Sequence, residues 1–151
     1  MQLSSPAFTT GGAIPKQHTA DGRNSSPELH WSGGPPDTKS YALICDDPDA
    51  PHGTWVHWVL YNLPPDTHQL PSGVPAEHSL NSGAYQGTND FHKIGYGGPA
   101  PPPGKPHRYN FKLYALDTML DLKDAPTKAH LEAAMHGHIK AEGHLMGTYK
   151  R

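Results

Sequence analysis

The apolar positions of this chain come in short runs fenced by proline and glycine. SYALICDDPD, residues 40–49, opens with an almost unbroken apolar run and closes on three carboxylates. A run that is apolar at both parities suits a strand covered on both faces, here one that delivers its acidic end to a loop. TWVHWVLYNLPP, residues 54–65, is β-branched and aromatic until Pro64-Pro65 stops it. HRYNFKLYAL, residues 107–116, predicts another strong strand. Weaker signals predict a strand within NSSPELHWSGGPP (24–36), with Leu29 and Trp31 on one face, and a short one near Ala84 to Gln86. SPAFTTGGAIP (5–15) reads as an edge-like segment broken by Gly11-Gly12. The rest of 66–106 predicts loop, and GGPAPPPGKP (97–106) must be irregular.

Beyond Pro126 the period changes. Thr127 can cap a helix in which Leu131, Ala134 and Met135 share a face, and Gly137 is placed to end it. HIKAEGHLMGTYKR then alternates: Ile139, Ala141, Gly143, Leu145, Gly147 and Tyr149 share one parity, and polar residues take the other. Period two outweighs helix propensity, so the pattern predicts a helix over 127–136 and a strand over 139–149.

Composition narrows the class. The 151 residues suit one domain, 1–151, and the 17 Pro and 16 Gly between short apolar runs suit a mainly β domain rich in loops. Twelve Lys and Arg against 14 Asp and Glu give a net charge of −2, so no basic field favours nucleic acid. Cys45 is alone, which excludes an intrachain disulfide. No apolar run serves as a signal peptide or reaches the roughly 20 residues of a membrane span, so no transmembrane segment and a cytoplasmic location are expected. Twelve histidines are the compositional oddity, and most of them fit a histidine-tolerant surface.

The chemistry concentrates in DDPDAPHGTWVHW, residues 46–58. Asp47 and Asp49 flank Pro48, Trp55 and His57 flank Val56, and His107 and Tyr109 flank Arg108. Residues two apart on an extended chain project from one face, so each pair points one way from a strand end or the loop beside it. A metal is not expected: Asp47-x-Asp49 lacks the remaining ligands and glycine of a calcium loop, and no histidine spacing matches a zinc frame. Nor is a serine or cysteine nucleophile: there is no Gly-x-Ser-x-Gly, and Cys45 lies on a buried strand. By itself DPDAP also fits a rigid turn with an Asx-type cap. An anion fits more of the chain. The GYGGP turn (95–99) can aim backbone N–H groups inward, and His57, His107 and the Tyr109 hydroxyl add donors. Asp47 then has three roles open to it: orienting an imidazole, donating its own proton, or meeting the ammonium half of a zwitterion. Trp55 would wall the site.

DPDAP followed by His57-Trp58 within TWVHWVLYNLP, then GYGGPAPPPGKPHRYNFKLYAL, together resemble the phosphatidylethanolamine-binding proteins, also called Raf kinase inhibitor proteins. NSSPELHWSG and HIKAEGHLMGTYKR are similar to short bacterial and archaeal members, and the likeness runs in order along nearly the whole chain. The resemblance implies a large antiparallel sheet packed on a smaller one with one or two short helices. It also implies a rim pocket for phosphate-like anions and a regulatory role, inhibiting kinases or proteases, rather than catalysis. By position it assigns Asp47, Asp49, Trp55 and His57 from the first block and Gly98, Pro99, His107 and Tyr109 from the second. It implies no cofactor and no metal, a small anionic or zwitterionic ligand, a kinase or protease as protein target, and a homodimer as in the family's bacterial branch. Animal members carry a further helix beside the pocket after the last strand; here Arg151 follows that strand directly, so gating by such a helix is not expected. The competing expectation is a hydrolase of small phosphate or ester substrates using the Asp/His cluster.

If histidine charge helps hold an anion, affinity should fall as pH rises across roughly pH 5 to 8. Titration calorimetry across that range checks this, and a flat profile would count against histidine control.

Overall fold

The computed structural model describes all residues, 1–151. Eight strands form two antiparallel sheets. The smaller orders β1 (Gln2–Ser4), β2 (Leu29–Ser32) and β5 (Gln69–Leu70) as β1-β2-β5. The larger contains β3 (Ser40–Asp47), β4 (Trp55–Leu63), β6 (Tyr85–Gln86), β7 (His107–Leu116) and β8 (Ile139–Tyr149), in the order β6-β4-β3-β7-β8. One helix, α1 (Lys128–Met135), and one 3₁₀ turn, Lys16–His18, complete it. No helix is long and apolar enough to cross a membrane.

The unbroken apolar run of β3 now has its physical reason. It is the central strand, and every residue in it is buried. Leu43 and Cys45 point into the core between the sheets, with Leu29, Trp31, Trp58, Phe111 and Leu145. Ala42 and Ile44 point the other way, into a second core that Leu131 and Met135 of α1 close. Truncating such a residue, for example Leu43 to alanine, costs about 2–5 kcal/mol. Burial also pushes the Cys45 thiol well above its ordinary range, so the cysteine is a packed apolar group.

Several boundaries moved. The strand expected within 24–36 shrinks to β2, and β1 and β5 were not foreseen, because strands of two or three residues carry no measurable alternation. Residues 5–15 form no strand of either sheet. They lie against the free edge of β8 instead: Gly11 and Ile14 donate to the carbonyls of Met146 and Thr148, and Thr148 donates to Gly12. The helix and last strand stand where the change of period put them. Thr127 caps α1 by accepting from the His130 N–H, and Gly137, with φ +83°, turns the chain out of it.

The β3–β4 pairing carries two irregularities. Near the far end Asn62 adopts φ +57°, and its side-chain amide exchanges hydrogen bonds with the backbone of Leu120, 2.8 Å each way. At the near end Cys45 faces Trp58 and the next residue, Asp46, faces Val56, so His57 is one residue too many. This bulge turns His57 and Trp58 to the same side of the sheet, Trp58 into the inter-sheet core and His57 to its rim.

Asp46 points into the other core, where Lys128 of α1 meets it at 2.8 Å and Lys112 at 3.5 Å. Its side chain is almost fully buried, so these ammonium groups are what compensate its lost hydration and pin α1 to the sheet. Lys128→Met should therefore destabilise the fold by about 1–3 kcal/mol, seen as a lowered urea midpoint with an unchanged slope.

Candidate functional site

Three strand ends converge at the rim of the inter-sheet core. β3 contributes Asp47, β4 contributes Trp55 and His57, and β7 contributes His107 and Tyr109. Asp47 has the parity of Cys45, and His107 and Tyr109 that of Phe111, so all face the same side. On β4 that parity is reached only through the bulge. Together they line a cavity of about 200 Å³.

Both Asp47 oxygens accept hydrogen bonds, one from the Asp49 N–H at 2.7 Å and the other from His107 Nδ1 at 2.7 Å. The first closes an Asx-turn over Pro48, and the second joins Asp47 to the His107 ring at the rim. Of the three roles open to Asp47, orienting an imidazole is therefore realised: His107 Nδ1–H is held, and Nε2 is the ring nitrogen left for other partners. His57 is fixed differently. Its Nδ1 lies 2.5 Å from the Gly97 carbonyl, and a carbonyl only accepts, so Nδ1 carries the hydrogen. The Gly97 N–H in turn donates to the His57 carbonyl at 2.9 Å. Burial lowers the His57 pKa below 6.5, against the opposing pull of the Gly97 hydrogen bond and the Asp47 charge. At neutral pH His57 is thus an uncharged ring with a lone pair on Nε2. The Tyr109 hydroxyl is buried without a partner, and desolvation pushes its pKa far up, so it keeps its proton.

Aromatic packing sets the wall. The His57 ring stands edge-on to Tyr109, with centroids 5.2 Å apart, and to Phe91 at 5.4 Å; Phe91 meets Trp55 at 5.5 Å. His52, which spacing offers only as a possible nitrogen ligand beside His57, also lines the cavity, as do Phe91 and Pro101, of which spacing along the chain gave no sign. Phe91 is placed by a loop that buried Asn89 organises, accepting from the N–H groups of Phe91 and Lys93 and donating to the Gly95 carbonyl. Gly97 must be glycine because a Cβ there would come within 2.5 Å of the Phe91 ring.

Three sequence-predicted residues lie elsewhere. The Asp49 carboxylate is gripped by the Arg108 guanidinium (2.8 and 2.9 Å) and accepts the Arg108 N–H, tying the β3–β4 loop to the start of β7 outside the cavity. That grip holds the Asp49 pKa down to about 2. The Gly98 N–H, expected to face a ligand, donates to Asn24 Oδ1 at 2.7 Å. The Pro99 carbonyl accepts from Ala20, so both residues back onto the 18–24 segment behind the wall. No three His, Cys, Asp or Glu side chains converge to hold a metal ion.

A family model described as "Phosphatidylethanolamine-binding protein" matches residues 4–150. A "UPF0098 protein" of Methanothermobacter thermautotrophicus is 50% identical over 151 residues, spanning 100% of this chain and 99% of that protein. Among solved structures, CT736 of Chlamydia trachomatis, described as a phosphatidylethanolamine-binding protein homologue, superposes with a TM-score of 0.91. It is 42% identical, over 99% of this chain and 97% of that one. E. coli YbcL, described as a new member of the mammalian family, gives 0.91 at 35% identity, covering 99% of this chain and 98% of that one.

Because burial depresses the His57 pKa, the neutral ring contributes stability that is complete above pH 6.5 and lost as pH falls through the folded-state pKa. An NMR titration should place His57 below 6.5, and Phe91→Ala, by admitting water to the ring, should bring it back toward 6.5.

Proposed function

The chain belongs to the phosphatidylethanolamine-binding protein family, and from that premise we propose that its rim cavity binds a small phosphate-like anion, a phosphomonoester or a phospholipid headgroup, without turning it over. The observation that carries this reading is the Tyr109 hydroxyl, buried in the cavity wall with no partner. A buried hydroxyl left unsatisfied costs about 1–3 kcal/mol, a cost that a ligand oxygen reaching it would remove. His107 stands beside it in the same lining, held by Asp47 through Nδ1 so that Nε2 is left for a ligand.

A hydrolytic reading has one observation in its favour, since a carboxylate on Nδ1 is how a general-base histidine is oriented. No serine, threonine or cysteine lines the cavity, however, so attack would fall to water or to one of the aspartate, histidine and tyrosine side chains. Binding is the better account, with regulation of a kinase or protease as its use. Residues 102–106, exposed beside the cavity, are the surface such a target would meet, and the buried, unpaired Cys45 suits a cytoplasmic setting.

Inorganic phosphate or phosphorylethanolamine added to the protein should shift the ring signals of His57 and His107. His107→Ala should weaken binding at least about tenfold, and because it strips the buried Asp47 side chain of this partner it should also lower the urea midpoint. Hydrolysis of phosphatase or esterase substrates that disappears in Asp47→Asn would favour the enzymatic reading instead.

A further inference from the structure

The inter-sheet core opens to the surface at a second place, far from the rim. β4 begins at Trp55, in the rim cavity, and ends roughly 25 Å away at Leu63, which lines a separate cavity of about 250 Å³. The two cavities share no lining residue. The floor of the second is the end of the core itself: Leu63 and Leu70 are buried members of it, and Val74 and Leu80 pack against the same cluster. Its wall is pinned by buried polar side chains. Gln86 donates to the Pro75 and Glu77 carbonyls at 2.7 and 2.8 Å, and the Glu77 N–H donates to Pro75. Ser26 accepts from the Gly73 and Val74 N–H groups. These bonds fix residues 73–77, so the cavity is formed before any ligand arrives.

The polar side chains around that floor are unused by the fold. Thr67, Gln69, Ser79 and Asn81 line the cavity and make no hydrogen bond within the protein through their side chains. Nor does the Glu77 carboxylate, although the Glu77 backbone is held at both its N–H and its carbonyl. No lysine, arginine or histidine lines the cavity, so Glu77 is its one charged group. An apolar floor with a single unpaired carboxylate and neutral acceptors at its lip is complementary to a small cation on an apolar body. We propose that this cavity is a second binding site, one for primary alkylamines. The alkyl chain lies on Leu63, Leu70, Val74 and Leu80, where it leaves water, and the ammonium meets Glu77. The remaining N–H groups of the ammonium find acceptors in the side-chain oxygens of Gln69, Ser79 or Asn81. The site does not depend on what the rim cavity holds. Glu77 repels carboxylates and phosphates, so the two ends of the core recognise opposite classes of ion.

The test is an NMR titration of the full chain at about pH 7, followed at the methyl signals of Leu63, Leu70, Val74 and Leu80. Three probes share one alkyl chain and differ in the head: hexylammonium, hexanol and hexanoate, at matched ionic strength. Hexylammonium should move these methyl signals and bind in about the millimolar range, at least about threefold more tightly than hexanol, with hexanoate weakest. The net charge of −2 favours cations everywhere on the molecule, so Glu77→Gln is the local control. It should bring hexylammonium down to the affinity of hexanol. Hexanol binding and the urea midpoint should stay unchanged, because that carboxylate has no partner in the fold. Equal binding of hexylammonium and hexanol by the unaltered protein, or a preference that survives in Glu77→Gln, would overturn the amine specificity. Hexylammonium shifts confined to the His57 and His107 rings, or no shift with any probe, would overturn the site.

Discussion

One extra residue in β4 decides what the rim of this sheet can do. Without the bulge at His57, the alternation set by Leu60 and Trp58 in the inter-sheet core would send His57 to the helix-covered face and Val56 toward the cavity. With it, an imidazole and an indole follow one another on the same side, and an apolar valine fills the core beneath α1. The irregularity is stabilised by hydrogen bonds from outside the sheet, half of them backbone to backbone. The Val56 N–H donates to the Asp90 carboxylate and the Val56 carbonyl accepts from the Asp90 N–H, while Gly97 pairs with His57 in the same reciprocal way. The 89–98 loop is therefore the partner strand that the bulged end of β4 would otherwise lack.

The fold was legible where burial has a period. β3, β4, β7, α1 and β8 follow from runs or alternations long enough to outweigh local propensity, and cover on both faces of β3 follows from its being apolar at both parities, whereas the two-sheet arrangement was implied by the family resemblance. In the site, the two-apart rule worked for Trp55 with His57 and for His107 with Tyr109, because those residues lie on strands. It failed for Asp47 with Asp49, because β3 ends at Asp47 and the chain turns at Pro48. The glycine loop was legible as a close approach but not in its purpose. Its glycines make room for Phe91 and the 18–24 segment, and its amides are consumed by protein acceptors. Phe91 itself was out of reach, since what places it is the side chain of Asn89, a loop interaction with no signature in hydropathy.

Two histidines of one cavity end up with different chemistry because their Nδ1 partners differ. A carboxylate on His107 can stabilise a positive ring as well as orient it, whereas a carbonyl on His57 orients without supplying a full charge. The buried aromatic contacts around His57 reinforce the neutral form. The site thus holds two imidazoles oriented by different partners, one by a carboxylate and one by a carbonyl, across a space lined otherwise by rings and prolines.

The segment beside β8 constrains how copies of this molecule can meet. Residues 11–14 occupy its outer backbone from Met146 to Thr148, and the remainder of that strand presents Lys140, Glu142 and His144 to solvent. At the opposite border of the sheet, β6 is two residues long. Neither border offers a long, uncharged row of free amides and carbonyls, so extension of the large sheet from one molecule into the next is disfavoured, and with it the growth of fibrous aggregates by edge addition. Self-association would then proceed through side-chain surfaces, whose complementarity evolves independently of the backbone pairing that holds each molecule together.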